Sequence, residues 1–243
     1  MERVAKALRT DRTVRAPIIT FARKPIGMVH NLSEGPSLIQ QYVAELRDIS
    51  VQGDRMRFRR NLERIAAIAG YEISKYLPYT SKRIQTPLTS TEAHVMAEQP
   101  LIANILRAGM PMHTGLLEVF DQADNAFISA YRKHDDAGNF VIELEYLSCP
   151  PIEDRILIIA DPMLATGSSM ALTIKALQRI GTPKAIHLVC AIASQVGIEK
   201  MEHEVPEAHI WAGAIDPELN DKSYIVPGLG DAGDLAFGAK MQS

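Results

Sequence analysis

The sequence lacks most of the features that mark secreted, metal-binding and membrane-spanning proteins. Cys149 and Cys190 are the only cysteines in 243 residues, so there is neither a C-x-x-C pair nor a disulfide framework. Two lone thiols favour a reducing compartment, and we expect a cytoplasmic protein. No apolar run approaches the ~20 residues that cross a bilayer. The seven histidines are scattered, and none shows the H-E-x-x-H spacing of a zinc site.

Aromatic residues and excess charge are also scarce. Aromatic side chains make up 6% of the chain and the formal net charge is -3, whereas a surface that binds RNA needs positive charge and stacking aromatics. Residues 1–24 are basic, with seven lysines and arginines, two acidic residues and no apolar segment of the secretory type. We predict a basic N-terminal extension over residues 1–30 and one domain over residues 31–243. The extension alone favours an RNA-binding regulator, and that alternative stays open.

The pattern of apolar residues predicts an α/β fold. Residues 37–50 and 55–77 have apolar positions at helical spacing, and Pro78 ends the second helix. Further along, continuous apolar runs such as residues 156–160 alternate with helical segments such as residues 168–181. This alternation is typical of a parallel sheet covered by helices on both faces. Ligands of such sheets bind beyond the carboxyl ends of the strands.

The most informative stretch is ILIIADPMLATGSSMA, in which an apolar strand ends before Asp161 and a helix follows Gly167. The unpaired N–H groups at a helix start bind phosphate, and the hydroxyls of Thr and Ser add donors. Asp161, across the loop, can accept hydrogen bonds from sugar hydroxyls. The stretch therefore indicates a phosphorylated sugar. It lacks the lysine of a Walker loop, and the alternative that Thr and Ser only cap the helix stays open.

A second pattern lies near the C-terminus, where GLGDAG over residues 228–233 has the G-x-G-x-x-G spacing of a dinucleotide-binding turn. Ten residues follow Gly233, too few for the βαβ unit and the acidic residue ~20 positions further on. Two interpretations remain. The glycines make a tight turn, or they expose backbone N–H and C=O groups to a flat ligand such as uracil.

Several segments together resemble the uracil phosphoribosyltransferase family of type I phosphoribosyltransferases. ILIIADPMLATGSS is similar to the family's motif for 5-phosphoribosyl-1-diphosphate (PRPP), and ILRAGMPM, ISAYR and YIVPGLGDAGD follow the family's order. The resemblance implies an α/β type I phosphoribosyltransferase fold: a central, mainly parallel sheet flanked by helices, with a β-hairpin lid and a C-terminal base-binding hood. It implies a pentosyltransferase of pyrimidine salvage that converts uracil and PRPP to UMP and diphosphate.

The same resemblance assigns site residues. The residues assigned to PRPP are Arg107, Arg132, Asp161, Pro162, Met163, Leu164, Ala165, Thr166, Gly167, Ser168, Ser169 and Asp231. The residues assigned to uracil are Ile225, Gly230, Asp231 and Ala232. Asp161 and Asp231 are the catalytic candidates, and Asp231 is the better one to orient or accept the uracil proton. From the residues alone, a surface ion pair remains the alternative for both arginines.

The expected cofactor is Mg²⁺, carried with the diphosphate of PRPP and not held in a protein metal site. The expected partners are the small-molecule substrates and further copies of the chain, as a homodimer or homotetramer, with no nucleic acid or membrane. Residues 133–150 are expected to form the lid, with a polar turn at residues 132–138. Lys133 and His134 are either catalytic groups or solvated residues of that turn.

Two residues depart from the family pattern. Ser168 stands where the family often has a second glycine, and Leu235 stands where it usually has a basic residue. The contacts made at these two positions are therefore in question. Within the enzymes, a phosphoribosyltransferase for another base stays open as the alternative.

Overall fold

The computed structural model describes residues 27–134 and 140–240. The predicted extension lies outside the described residues up to position 26. The strands are β1 (Val29–Asn31), β2 (Tyr79–Gln85), β3 (Ser90–Met96), β4 (Leu101–Leu106), β5 (Asp124–His134), β6 (Phe140–Ser148), β7 (Ile156–Ala160), β8 (Met163–Leu164), β9 (Ala185–Ser194), β10 (His209–Asp216), β11 (Glu218–Leu219) and β12 (Ile225–Val226). The helices are α1 (Leu38–Arg47), α2 (Arg55–Ser74), α3 (Met110–Val119), α4 (Ser168–Gln178), α5 (Gln195–Glu204) and α6 (Ala232–Phe237).

The central sheet has the strand order β1-β10-β9-β7-β4-β5-β6, and β8 pairs with β9. All of these pairs are parallel except β5 with β6. The apolar runs form its centre because strands covered on both faces bury every side chain, as in β7 and nearly all of β9. Helices α4 and α5 share a core with one set of alternate strand residues. Helices α1, α2 and α3 pack against β10, β9 and β4. The predicted α/β architecture is confirmed.

The predicted helices are present but shorter at their carboxyl ends. Helix α2 begins after Asp54, whose carboxylate accepts hydrogen bonds from the N–H groups of Met56 and Arg57. Helix α1 ends at Arg47 because Asp48 folds the next residues into a turn, accepting from the N–H and Oγ of Ser50. The prediction of a helix to residue 50 is therefore wrong by about one turn.

The hairpin of β2 and β3 was not predicted. Residues 77–98 form a compact unit in which Tyr79 pairs with Met96 and Gln85 with Ser90. Thr86 Oγ1 accepts the N–H groups of Leu88 and Thr89 and closes the turn. The two strands contain few apolar residues, so the sequence carries no hydrophobic signal for them.

The β5–β6 hairpin confirms part of the predicted lid segment. The polar residues 132–134, expected in a turn, continue β5, with Lys133 opposite Val141 and His134 opposite Phe140. Residues 135–139, the rest of the predicted turn, lie outside the described residues. Closure of residues 133–150 over a ligand stays a prediction.

Three histidines, one tyrosine and the single tryptophan form an aromatic cluster near the amino ends of β9 and β10. His30 stacks on Trp211 with ring centroids 3.7 Å apart, and its Nε2 lies 3.1 Å from His209 Nδ1. Trp211 Nε1 donates to His187 Nδ1 over 3.2 Å, and the Tyr76 ring packs edge-on to Trp211. The cluster thus joins the edge strand β1 to β10 through neutral imidazoles.

Burial lowers the pKa values of all three histidines. Desolvation is the main cause throughout, and it takes the pKa of His30 to about 4 and that of His187 to about 3. His209 adds a smaller lowering effect on both, and Glu72 opposes it at His30. The unfolded chain binds these protons near pH 6.5, whereas the folded chain does not until a lower pH.

The protein is therefore expected to lose stability as the pH falls from 6.5 toward 4. Urea unfolding at pH 7.5, 6 and 5 measures this loss. In His187→Gln, the loss between pH 7.5 and pH 5 should be smaller by about 2 kcal/mol, since a buried group with a lowered pKa is gone. His203→Gln, at an exposed position on α5, is the control and should behave as the parent does. An unchanged pH dependence in His187→Gln would contradict the assignment.

Candidate active site

Asp161 lies at the carboxyl end of β7, as predicted. Its Oδ1 accepts a hydrogen bond from the Met163 N–H at 3.3 Å, across the bend between β7 and β8. The carbonyl of Pro162 accepts from the N–H groups of Ala191 and Ile192, both at 3.0 Å, and ties the bend to β9. Desolvation raises the pKa of Asp161 to about 7, and the Met163 N–H opposes this only partly. The carboxyl is therefore held where a ligand that donates hydrogen bonds would stabilise its ionised form.

The bend leads through residues 161–169, here called the phosphate loop, into α4. Gly167 is the N-cap, with φ of 72°, and no side chain caps the helix. Thr166 Oγ1 accepts from the Ser168 N–H at 3.3 Å, inside the loop. Thr166 thus satisfies one N–H group at the helix start, so capping and phosphate binding both stay open for these residues. The following N–H groups of the first turn are the kind that bind anions at a helix start.

Helix α5 supports the phosphate loop from behind, which the sequence did not predict. Ser194 Oγ donates to the carbonyl of Ala165 over 2.6 Å and accepts from the Gly197 N–H over 2.9 Å. A Cβ on Gly197 would lie 2.7 Å from the Leu164 carbonyl oxygen and still nearer that of Ala165. One turn later, Lys200 Nζ donates to Ser168 Oγ over 2.8 Å. These contacts of Ser194, Gly197 and Lys200 hold the phosphate loop in its shape.

Arg107 follows β4, next to β7 in the sheet. Gly109 allows this approach, because a Cβ there would lie 2.7 Å from the carbonyl oxygens of Ala160 and Ile105. Arg107 Nη2 lies 3.1 Å from Asp234 Oδ1, and its side chain is 43% exposed. Arg107 Nη1 also donates to the carbonyl of Gly238 over 3.3 Å. The guanidinium thus makes the surface ion pair that was left open, and its partner lies in the C-terminal segment.

Arg132, the second predicted arginine, lies on β5 opposite Ile142. Its side chain lies outside the described part of the molecule. Its assignment to PRPP stays a prediction.

The C-terminal segment, residues 225–238 and here called the hood, rests on a buried ion pair. Asp216 ends β10 and is 4% exposed. Its two carboxylate oxygens accept from Arg47 at 2.7 and 2.9 Å, and Oδ2 also accepts from the Gly228 N–H at 2.9 Å. Gly228 has φ of 58°, and a Cβ there would overlap the Ile225 carbonyl. The predicted tight turn is therefore real, and Asp216 fixes it.

Two further carbonyl groups of the hood accept hydrogen bonds from side chains of α2 and of the turn before it. Gln52 Nε2 donates to the carbonyl of Leu229 over 3.2 Å, and Arg59 Nη1 donates to that of Ala236 over 2.7 Å. The Arg59 guanidinium also lies 5.9 Å from the centre of the Phe237 ring. The backbone of the hood is therefore fixed by side chains far away in sequence.

The residues predicted to bind uracil lie together in the hood. Ile225 is buried, and Gly230 is exposed with φ of 95°. Asp231 is the N-cap of α6, and its Oδ1 accepts from the Asp234 N–H at 3.0 Å. Ala232 follows as the first residue of α6 and is buried. One carboxylate oxygen of Asp231 therefore has a structural role that the sequence did not indicate.

Residues 107–109 link the two predicted half-sites. Gly109 lies against Ala160, directly before Asp161. On the other side, a Cβ on Gly233 would lie 3.8 Å from Arg107 Nη2 and 3.9 Å from the Ala108 Cβ, which is ordinary contact distance. The same short segment therefore contacts both the end of β7 and the hood. Leu235, the second departure, lies 3.8 Å from where a Gly230 Cβ would be, so it packs inside the hood.

The side chains that contact the candidate site and were not predicted from the sequence include Asp216, Arg47 and Lys200. A signal for Asp216 was present, because it follows an apolar strand just as Asp161 does. Arg47 and Lys200 are charged residues on helices and carry no such signal. Across residues 27–134 and 140–240, no three His, Cys, Asp or Glu side chains are placed to bind a metal. No helix in those ranges is long and apolar enough to span a membrane.

Comparison with known proteins gives a consistent answer. The family model for uracil phosphoribosyltransferase matches residues 34–239. The uracil phosphoribosyltransferase of Porphyromonas gingivalis is 50% identical over 214 residues, 88% of this chain and 99% of the relative. That of Thermococcus gammatolerans is 36% identical over 218 residues, 88% and 95% of the two chains.

Among solved structures, the AQ2163 protein of Aquifex aeolicus superposes with a TM-score of 0.78 at 28% identity, over 88% of this chain and all of that one. The family match covers β4, the phosphate loop and the hood together, in the order that the sequence motifs predicted. The chain belongs to the uracil phosphoribosyltransferase family.

Proposed function

We propose that this protein transfers the 5-phosphoribosyl group of PRPP to uracil and releases UMP and diphosphate. The observation that carries this proposal is the contact of residues 107–109 with both the end of β7 and the hood. The phosphate loop and the hood, the proposed sites for the sugar phosphate and the base, thus lie on either side of one segment. Family membership, with relatives named for this activity, supports the same reaction.

The phosphate loop is proposed to bind the ribose 5-phosphate end of PRPP. The first turn of α4, whose N-cap Gly167 has no side chain, offers N–H donors and the positive end of the helix dipole. Thr166, Ser168 and Ser169 add hydroxyls. Asp161 is proposed to accept hydrogen bonds from the ribose hydroxyls, which favours its ionised form and offsets the desolvation that raises its pKa.

The diphosphate is proposed to lie near Arg107, with Arg132 as a second contact. Guanidinium groups suit the oxygens of a diphosphate because they donate two parallel hydrogen bonds. Since Arg107 is paired with Asp234, binding of the diphosphate would exchange one anionic partner for another. The side chain would then link occupancy of the PRPP site to the position of the hood.

Mg²⁺ is proposed to enter with PRPP. The donor set fits this, because the described residues offer no group of three acidic, histidine or cysteine ligands, and Mg²⁺ commonly binds substrate phosphates and water. The ion would neutralise charge on the departing diphosphate. The protein's own contribution is to hold the ribose and the leaving group through Asp161 and Arg107.

Uracil is proposed to bind along the backbone of Gly230, Asp231 and Ala232, beside Ile225. Its edge alternates carbonyl acceptors and N–H donors, and exposed peptide groups can match that alternation. Breaking the C1–O bond of PRPP leaves positive charge on the ribose, and uracil nitrogen attacks as its proton departs. Asp231 is the proposed group that orients or accepts this proton, although its Oδ1 already caps α6.

An assay with PRPP, Mg²⁺ and a panel of free bases tests the function. Uracil should give UMP and diphosphate in equal amounts, and orotate, hypoxanthine and adenine should give far less. Preferred use of another base would establish the alternative enzyme. If no base led to diphosphate release from PRPP, and the protein retained RNA only when residues 1–24 were present, the RNA-binding regulator would be established. The homo-oligomeric state and the cytoplasmic location stay predictions.

Gly197→Ala tests the support of the phosphate loop by α5. Alanine favours a helix by about 1 kcal/mol over glycine, but its Cβ would overlap the carbonyls of Leu164 and Ala165. The loop must move, so we expect the KM for PRPP to rise about tenfold with little change for uracil. Gly53→Ala is the control, since nothing lies within 4 Å of its Cβ position. Normal PRPP kinetics in Gly197→Ala would show that the loop tolerates the shift.

A further inference from the structure

Among the described residues, Lys200 is a cationic side chain that donates a hydrogen bond to the phosphate loop. Its Nζ donates to Ser168 Oγ over 2.8 Å. Its stem follows the loop, because a Cβ on Gly167 would lie 3.5 Å from both Cβ and Cδ of Lys200. The side chain is 35% exposed, so the ammonium is partly removed from water. Lys200 is therefore built against the loop and is not a freely solvated lysine.

The hydrogen bond fixes what the Ser168 hydroxyl can do. An ammonium only donates, so the Ser168 oxygen must accept, and its own O–H remains to donate to another group. Ser168 is the first residue of α4, where the proposed 5-phosphate binds. The hydroxyl proton is thus directed away from Lys200, with the positive charge behind it.

The local charges leave the ammonium only partly compensated. Lys200 Nζ lies 3.8 Å from Glu204 Oε1, while Lys175 Nζ lies 2.8 Å from Glu204 Oε2. Two ammonium groups therefore share one carboxylate. The first turn of α4 contains no acidic residue. An anion at the loop would supply the charge that this pair of lysines lacks.

We propose that Lys200 is a positioning residue for the phosphate of PRPP, acting through Ser168. It holds the Ser168 oxygen as an acceptor, so that the hydroxyl donates to the 5-phosphate, and it adds positive charge behind that bond. This inference rests on the proposed function. It also gives a role to Ser168, the residue that departs from the family's second glycine.

The test is a double-mutant cycle on the full chain with Lys200→Met, Ser168→Ala and the double variant, using PRPP and uracil. Each single change should raise the KM for PRPP about tenfold, the loss expected for one charge-assisted hydrogen bond, with kcat and the KM for uracil within about twofold. The KM of the double variant for PRPP should be no higher than that of the single variant with the higher KM, because both changes remove the same interaction. Lys200→Arg should restore most of the affinity, since it keeps the charge and a donor.

Lys175→Met is the matched control, because it also removes a partner of Glu204 but lies in the last turn of α4. Its KM for PRPP should stay at the parent value. Three results would each overturn the proposal. The rises in KM for PRPP could multiply in the double variant, the KM of Lys200→Met could be unchanged, or Lys175→Met could show an equal rise. If the parent chain makes no UMP at all, the proposed function fails, whereas a normal parent with unaffected variants refutes only the role of Lys200.

Discussion

Asp161→Asn is expected to lower kcat/KM for PRPP by about 100- to 1,000-fold while leaving the fold intact. The asparagine keeps the shape of the side chain and an Oδ1 that can accept the Met163 N–H, so the bend after β7 is preserved. What is lost is the negative charge that is proposed to accept hydrogen bonds from ribose hydroxyls and to face the positive charge developing on the sugar. A loss of 100- to 1,000-fold corresponds to about 2.7–4.1 kcal/mol. Hydrogen bonds to a charged group contribute about 1.5–3 kcal/mol each, so this is the lower part of the loss expected for two of them.

The same variant has a stability signature. A carboxyl whose pKa is raised to about 7 on folding costs stability, and this cost grows as the pH rises from about 4 to about 7 and is constant above that. Asp161→Asn removes this cost, so its unfolding free energy should exceed the parent's by more at pH 8 than at pH 5. Steady-state kinetics with urea unfolding at both pH values measures the two effects.

Asp121→Asn, at an exposed position after α3, controls for the loss of one negative charge. It should change neither quantity. Near-normal turnover in Asp161→Asn would refute the role of Asp161. A fall in stability at pH 8 would show that the half-buried carboxyl is stabilised by contacts other than the Met163 N–H.

Asp216→Ala is expected to raise the KM for uracil about 100-fold and to destabilise the fold by about 3 kcal/mol. The change leaves the guanidinium of Arg47 and the N–H of Gly228 without their shared acceptor. Removing one member of a buried ion pair typically costs 3–5 kcal/mol, and Arg47, at 22% exposure, places this pair at the lower end. The turn at Gly228 loses its anchor, so the proposed uracil contacts of the hood are expected to be weakened.

Kinetics for each substrate separate this effect from general damage. The KM for PRPP should change much less than that for uracil, since the phosphate loop is supported by α5. Asp124→Ala serves as the matched control. It breaks a 2.6 Å ion pair with Arg155, and the Asp124 side chain is 57% exposed. That pair should contribute no more than about 1 kcal/mol. Equal losses for both substrates in Asp216→Ala would contradict a specific role for Asp216 in the hood.

The predictions for Asp161→Asn and Asp216→Ala both depend on where these two carboxylates lie at the sheet. Asp161 ends β7 and Asp216 ends β10, two parallel strands separated only by β9. The carboxyl ends of parallel strands meet at one edge, so both side chains belong to the same edge of the sheet. One lies in the proposed sugar site, and the other anchors the loop that is proposed to read the base.

The phosphate loop could be predicted because its parts are contiguous. A buried strand, an acidic residue, a turn and a glycine before a helix follow one another within residues 156–170, and each is encoded by local preference. The parallel sheet followed from apolar runs long enough to be buried on both faces. The β2–β3 hairpin escaped detection because its two strands are largely polar, and helical periodicity ran past the true end of α1.

Local sequence preference was enough to predict most of the helices and strands and the residues that follow them: the α/β alternation, Asp161 after β7 and the glycine-rich turn of the hood. Only the tertiary structure decided the pairings: Arg47 with Asp216, Arg107 with Asp234, and Lys200 with Ser168. The reason is physical. Turns, caps and strand ends depend on neighbouring residues, whereas a hydrogen bond between distant side chains depends on which strands lie side by side and which helix packs behind them.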